Sequence, residues 1–135
     1  MYLLDTNVIS EFRKNKPHGG VMAWINAVAD EEIFLSAVTL GELQAGVELT
    51  RHQDPAKAAR IETWLDQVAD SYQILPMDGR IFREWARLMD GQPDQLIEDA
   101  MLAATARIHR LTVVTRNTRD FKPFEVPVFD PFRST

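Results

Sequence analysis

The sequence predicts an α/β domain, a mostly parallel sheet of short strands with helices on both faces. Short apolar runs alternate with helix-period segments along the whole chain, and parallel strands need such crossovers, which are right-handed and cover the sheet. The opening stretch MYLLDTNVISEF ends an apolar run in Asp5 and then places Val8, Ile9 and Phe12 at helical spacing, a strand handing over to a helix. The pattern recurs in EEIFLSAVTLGEL, where a strand is again followed by an acid, Glu42, just inside the next helix.

In order, the first helix is expected to run from Asp5 to about Lys14. Pro17, His18, Gly19 and Gly20 break it before a helix holding Trp24, Ile25 and Val28. Ile33 to Val38 reads as the second strand, with Thr39 starting a helix that carries Glu42, Leu43 and Val47. Asp54 and Pro55 give a cap and first-turn signal for a long helix with Ile61, Trp64, Leu65 and Val68 on one face. Gln73 to Leu75 is a short strand closed by Pro76, and Asp78 caps a helix bearing Ile81, Phe82, Trp85 and Leu88. Gly91, Gln92 and Pro93 interrupt, Asp94 caps the helix LIEDAMLAATARIH, and Thr112–Thr115 and Val126–Phe129 supply the last strands. The three tryptophans and most phenylalanines fall on apolar faces and are read as core.

The 135 residues, 45% hydrophobic and 26% charged, fit one domain over residues 1–135 that buries a core without staples. Cysteine is absent, which excludes disulfides, thiolate catalysis and Cys-based zinc sites. No basic, apolar leader opens the chain and no apolar run approaches the roughly 20 residues of a membrane span, so a soluble, unexported, cytoplasmic protein is expected. A net charge of −5 requires any nucleic-acid contact to use a local basic patch. Arg13, Lys14 and Lys16, or Arg116, Arg119 and Lys122, could form one. Neither GxGxxG nor GxxxxGK[ST] occurs, so the usual nucleotide-binding signatures are missing.

Four acidic places stand out: Asp5, Glu42, Glu98-Asp99, and the stretch from Asn117 to Asp120. Each has a purely structural reading. Asp5 could cap its helix, and Thr39-Leu40-Gly41-Glu42 matches a capping box. Three of the four nonetheless follow strands on the same carboxyl edge, where ligands bind in open α/β sheets. Carboxylates gathered there repel one another unless a cation neutralises them, and oxygen-only ligation suits Mg²⁺ or Mn²⁺. Asp99 shares a small stripe with Ala103 and Ala106 and is placed in the cluster. Glu98, with Leu102 and Thr105, is expected to face outward or to stand behind it.

MYLLDTNVIS, SAVTLGEL, EDAMLAATA and VVTRNTRDF, in this order and spacing along the chain, resemble the PIN-domain ribonucleases, especially the VapC-type toxins of toxin–antitoxin pairs. The resemblance implies a three-layer α/β/α sandwich with a mostly parallel sheet of four to five strands, in which Asp5, Glu42 and Asp99 surround one or two Mg²⁺ or Mn²⁺ ions. It implies metal-dependent RNA cleavage by an activated water, restrained by a cognate antitoxin. Thr6 and Asn7 would orient the first carboxylate, and Thr115 and Arg116 would line the site. Some relatives carry an acid directly after TVVTR, where this chain has Asn117. We take Asp120 as the acid that completes the catalytic set, with Asn117 holding a water or the backbone. His18, His52 and His109 are read as surface or helix-end residues.

A haloacid-dehalogenase-type phosphatase would want a second Asp two residues after Asp5, where Asn7 stands. A catalytically silent RNA- or protein-binding module is the other alternative. The resemblance also implies a homodimer and an antitoxin bound through apolar grooves beside the active site, and the helices bearing Trp24, Trp64 and Trp85 carry more large apolar residues than five short strands need to cover. Which RNA is cut is not written in the sequence.

Overall fold

The computed structural model describes residues 1–133. Strand β1 (Tyr2–Leu4) leads into the one-turn helix α1 (Thr6–Ile9), a 3-10 turn at Ser10–Arg13, and α2 (Gly19–Ala27). Strand β2 (Ile33–Ser36) is followed by two long helices, α3 (Ala37–Gln53) and α4 (Pro55–Ser71), and then β3 (Gln73–Leu75). Helices α5 (Gly79–Met89) and α6 (Ile97–His109) return the chain to β4 (Thr112–Val114), and a 3-10 segment at Thr118–Phe124 precedes β5 (Val128–Phe129).

The sheet order is β3-β2-β1-β4-β5, and all four pairings are parallel. From β1 the chain steps outward to β2 and β3, then crosses back to β4 on the other side. With right-handed crossovers this reversal puts the helices on opposite faces, giving the three layers expected. Alternation along the strands agrees. Leu3 and Val113 pack with Ala100, Leu102, Ala103, Ala106, Phe121 and Phe124 on the α6 side. Leu4, Val114, Ile33 and Leu35 pack with Val8, Ile9, Val21 and Val68 on the other. Both faces are therefore covered, as an all-parallel sheet requires.

Several boundaries differ from the sequence reading, each for a local reason. Strand β2 stops at Ser36, whose Oγ accepts the Val38 N–H at 3.0 Å, so α3 begins before Thr39. Glu42 is then too deep in the helix to complete a capping box, and Thr39 is buried with its hydroxyl unpartnered. Asp94 opens a 3-10 turn and makes no capping bond; α6 starts at Ile97. Asp54 and Asp78 do cap α4 and α5, accepting from Lys57 N and Ile81 N at 3.0 Å each. Strands β4 and β5 are shorter than expected, because Thr115 turns its hydroxyl to Asp5 and β5 pairs only at Val128 and Phe129. The tryptophans pack at the rim of the core: Trp24 edge-on to Tyr2 at 5.1 Å, and Trp85 with its indole N–H on Ile97 O at 3.1 Å.

The C-terminal turn closes over the start of α2. A methyl group on Gly20 would lie 2.7 Å from the carbonyl oxygen of Pro131, whereas one on Gly19 would meet open space. Gly20→Ala is expected to destabilise the fold by about 1–3 kcal/mol through forced backbone displacement. Gly19→Ala should stay near neutral or gain slightly. Thermal unfolding of the two variants checks this, and equal melting temperatures would contradict it.

Candidate active site

Because β1 is central and its neighbours β2 and β4 are reached by crossovers on opposite faces, the carboxyl ends of β1 and β4 flank the topological switch point, where such sheets open a crevice. Asp5 stands at that seam. Its backbone N–H continues the sheet onto Val114 O at 2.9 Å. One carboxylate oxygen, Oδ1, accepts the Thr6 N–H at 2.7 Å. The other, Oδ2, accepts from Thr115 Oγ1 at 2.8 Å and Asn7 Nδ2 at 3.3 Å. Asp5 thus caps α1 with one oxygen and belongs to the cluster with the other.

The neighbours interlock. Asn7 Nδ2 also reaches Thr115 Oγ1 at 3.3 Å, its Oδ1 accepts the Arg116 N–H at 3.1 Å, and Thr115 Oγ1 accepts the Asn117 N–H at 3.0 Å. Thr6 Oγ1 donates to Glu42 Oε1 at 3.1 Å, fixing the α3 acid to the residue that follows Asp5. Asp120 rides on the 3-10 segment, which Phe121 and Phe124 anchor in the core. Arg107 clamps the same segment by donating to the carbonyls of Phe124 and Glu125 at 3.0 and 3.2 Å.

The carboxyl groups act on one another electrostatically. Burial pushes Asp5 above the usual carboxylate range against the pull of its hydrogen bonds, and the charge of Asp120 adds to the rise. Burial first, then Asp5, Asp120 and Glu98, push Asp99 up to about 7. Burial and the adjacent Glu98 carboxyl push Glu42 up to about 8, with a smaller contribution from Asp5. Among the described residues none of Asp5, Glu42, Asp99 and Asp120 forms an ion pair with a Lys or Arg. No three His, Asp or Glu side chains among these residues draw together into a ready-made metal shell. The acids are near enough to repel and lack a counter-charge. This all-oxygen donor set fits a hard divalent cation.

A family model, the PIN domain, matches residues 2–125, which contain every one of these acids. The chain belongs to the PIN domain family. Toxin FitB of Neisseria gonorrhoeae is 36% identical, the match spanning 98% of this chain and 99% of that protein. VapC ribonuclease Y4jK of Sinorhizobium fredii is 34% identical across 98% of both. The crystal structure of FitAcB from Neisseria gonorrhoeae superposes with a TM-score of 0.88 at 35% identity, covering 99% of this chain and 100% of that one.

Within this PIN fold the charges of Asp5, Asp99 and Asp120 act on one another, and Glu42 joins them through Asp5 and Glu98. The side chain of Asn117 makes no hydrogen bond among the described residues, while Asp120 acts on both Asp5 and Asp99. Glu98 is the residue the stripe argument underrated. It shares the first turn of α6 with Asp99, and its carboxyl meets that of Glu42. The small-residue stripe could not separate the two acids, because α6 is buried almost all round, from Ala100 and Leu102 through Ala106. The histidines lie elsewhere in role: His18 Nδ1 caps α2 by accepting from Gly20 N and Val21 N, and His52 and His109 are exposed.

Raised carboxyl pKa values fix the sign of a stability profile. Between the unfolded value near ~4 and the folded values, the native state holds protons the unfolded chain has lost, so stability falls as pH rises. The loss is absent below about 4 and complete above about 8. Melting temperature in the absence of divalent cations is expected to fall across this window. Glu42→Gln and Asp99→Asn should each flatten the slope and melt higher than the parent at pH 8, and parallel curves would contradict the electrostatic picture.

Proposed function

We propose that the protein is an endoribonuclease of the VapC type, the toxin of a toxin–antitoxin pair, which hydrolyses RNA phosphodiester bonds with Mg²⁺ or Mn²⁺. The observation that carries this reading is the group of mutually repelling carboxylates at the switch point, which no cationic side chain among the described residues pairs with. Similarity to a toxin and to a ribonuclease over almost the whole of both chains supports the same reading.

Asp5, Glu42 and Asp99 would hold the cation, with Asp120 completing the set. When bound, such an ion stabilises charge on phosphate oxygens and acidifies a water. The chain's own contribution is positional. Thr115 and Asn7 fix the outer oxygen of Asp5, and Thr6 aims Glu42. Asn7 in turn holds the backbone of Arg116, so the loop after β4 keeps its place beside β1. Glu42 and Asp99 would give up their protons to hold a cation, so affinity for the ion would rise with pH. No cysteine is present and His18 caps α2, so the cluster offers no thiol nucleophile and suits attack by water. Without the cation the acids repel an RNA backbone, which ties substrate binding to the ion.

The same reading gives the protein a cytoplasmic setting; among the described residues no helix is long and apolar enough to cross a membrane. It also gives it a homodimer and a cognate antitoxin, for which the exposed Phe82 on α5 and Leu49 on α3 offer apolar contact. An antitoxin Arg or Lys placed among the acids would supply the missing charge and inhibit.

Asp5→Asn, Glu42→Gln and Asp99→Asn are each expected to abolish Mn²⁺-dependent RNA cleavage while leaving a folded protein by circular dichroism. Thr6→Val, which removes only the hydroxyl that aims Glu42, should cost about 10–100-fold. Asp120→Ala should impair cleavage more than Asn117→Ala. Cleavage retained by Asp5→Asn or Asp99→Asn at saturating Mn²⁺ would overturn the site. RNA bound tightly by the parent protein but never cut would favour a silent binding module.

A further inference from the structure

Beside the acids lies a cavity of about 390 Å³, walled by the segment after β4 and by the C-terminal turn, and its lining includes Arg116, Arg119, Lys122 and Arg133. We propose that this cavity is the subsite that seats a backbone phosphate of the RNA strand next to the bond that is cut. The inference rests on the RNA-cleaving reading above and adds to it where the substrate strand runs.

Three observations carry it. The first is charge. In a chain of net charge −5, four cations meet in one cavity. Among the described residues Arg116, Arg119 and Lys122 form no ion pair, and Arg133 has only a 3.6 Å approach to Asp130. Unpaired cations gathered on one wall repel one another, a cost that an anionic ligand removes. The second is shape. The guanidinium of Arg116 stacks over the Phe132 ring at 4.1 Å, and its backbone N–H is held by Asn7 Oδ1 at 3.1 Å. Stacking covers one face and leaves the edges of the fork, the geometry that grips phosphate oxygens in pairs. The third is continuity. Asp120 lines the same cavity and its charge acts on Asp5 and Asp99. A polyanion seated on the basic wall therefore passes directly onto the carboxylate group.

The lining also contains Asn117 and Thr118 and no aromatic or aliphatic side chain, so it suits a phosphate and offers no platform for a base. A second basic cavity, of about 500 Å³, differs on this point: Ile61 and Trp64 share its lining with Arg13, Lys14, Lys57 and Arg60. It has an apolar floor and no acid of the cluster.

The test measures binding of a fluorescent single-stranded RNA of mixed sequence by anisotropy across a KCl series. Asp99→Asn protein with Mg²⁺ is used so that the RNA is not consumed. Adding Arg119→Gln, Lys122→Gln and Arg133→Gln together is expected to weaken binding about tenfold or more and to make the slope of log affinity against log salt shallower by about 2, since each lost phosphate contact removes about 0.7. Arg119→Lys with Arg133→Lys keeps the charge and should keep the slope. In protein with Asp99 intact, the triple change should raise KM while kcat stays within about twofold, the pattern of lost ground-state binding. Unchanged affinity and slope in the folded triple variant would overturn the subsite. So would a loss confined to an acidic polyglutamate peptide with RNA binding intact. If the parent protein binds RNA with the charge-dependent slope yet cuts none, the nuclease reading fails while the cavity keeps its role as a seat for an RNA backbone phosphate.

Discussion

The fold is organised around one unresolved repulsion. Asp5, Glu42, Glu98, Asp99 and Asp120 come from four separate parts of the chain, and burial, reinforced by the neighbouring acids, raises the proton affinity of Asp5, Glu42 and Asp99. Nothing in the local sequence demands this. A cap on α1 needs only one oxygen of Asp5, and α3 is capped without Glu42. What keeps the acids together is the rigidity beneath them: a parallel sheet buried on both faces, with β1 bonded to β2 and β4, and the Thr115–Asp5 hydrogen bond that fastens the loop after β4 to the start of α1. The hydrogen bonds to Asp5 favour its charged form and burial opposes it. Burial prevails, and the group is left in need of positive charge from outside the chain.

That need explains the division of charge along the carboxyl edge. Acids occupy the seam between β1 and β4, while the cations of the following segment point into an adjoining cavity instead of neutralising them. Arg107, by contrast, is fully engaged with Glu84 at 2.7 Å and with two carbonyls, and serves to hold the Asp120 segment in place. The chain thus uses some arginines as clamps and leaves others free. A polyanionic substrate and a small cation, the two ligands of the proposed function, would each match one half of this arrangement.

Much of this was legible from the sequence because the signals were local. Strand-then-acid at Asp5 and Glu42, the breaks at Gly19-Gly20 and Gly91-Gln92-Pro93, and the caps at Asp54 and Asp78 depend on a few neighbouring residues. The acids' common location followed from strand order, which alternation of strands and helices restricts strongly. What failed depended on tertiary context. Thr39 looked like a cap until Ser36, one residue type among several eligible, took the role. Glu98 and Asp99 could not be told apart by helical periodicity, since α6 is wrapped by the sheet, α5 and the 3-10 segment. Of the basic wall, Arg116, Arg119 and Lys122 were legible as a candidate patch, whereas Arg133 was not, because it joins Arg116 through a turn that no periodic pattern encodes.

Under the proposed function Glu42 and Asp99 would exchange protons for a cation, and calorimetric titration of the cation-free protein with Mn²⁺ measures that exchange. Run at neutral pH in buffers of different ionisation heat, the titration reads the number of protons released per ion. Saturable binding with release of about one proton is expected, because ligands must deprotonate to bind and burial with the neighbouring acids pushes Glu42 up to about 8 and Asp99 up to about 7. Release should vanish in the doubly substituted Glu42→Gln, Asp99→Asn protein. Binding heats that do not depend on the buffer, or no binding at all, would contradict it.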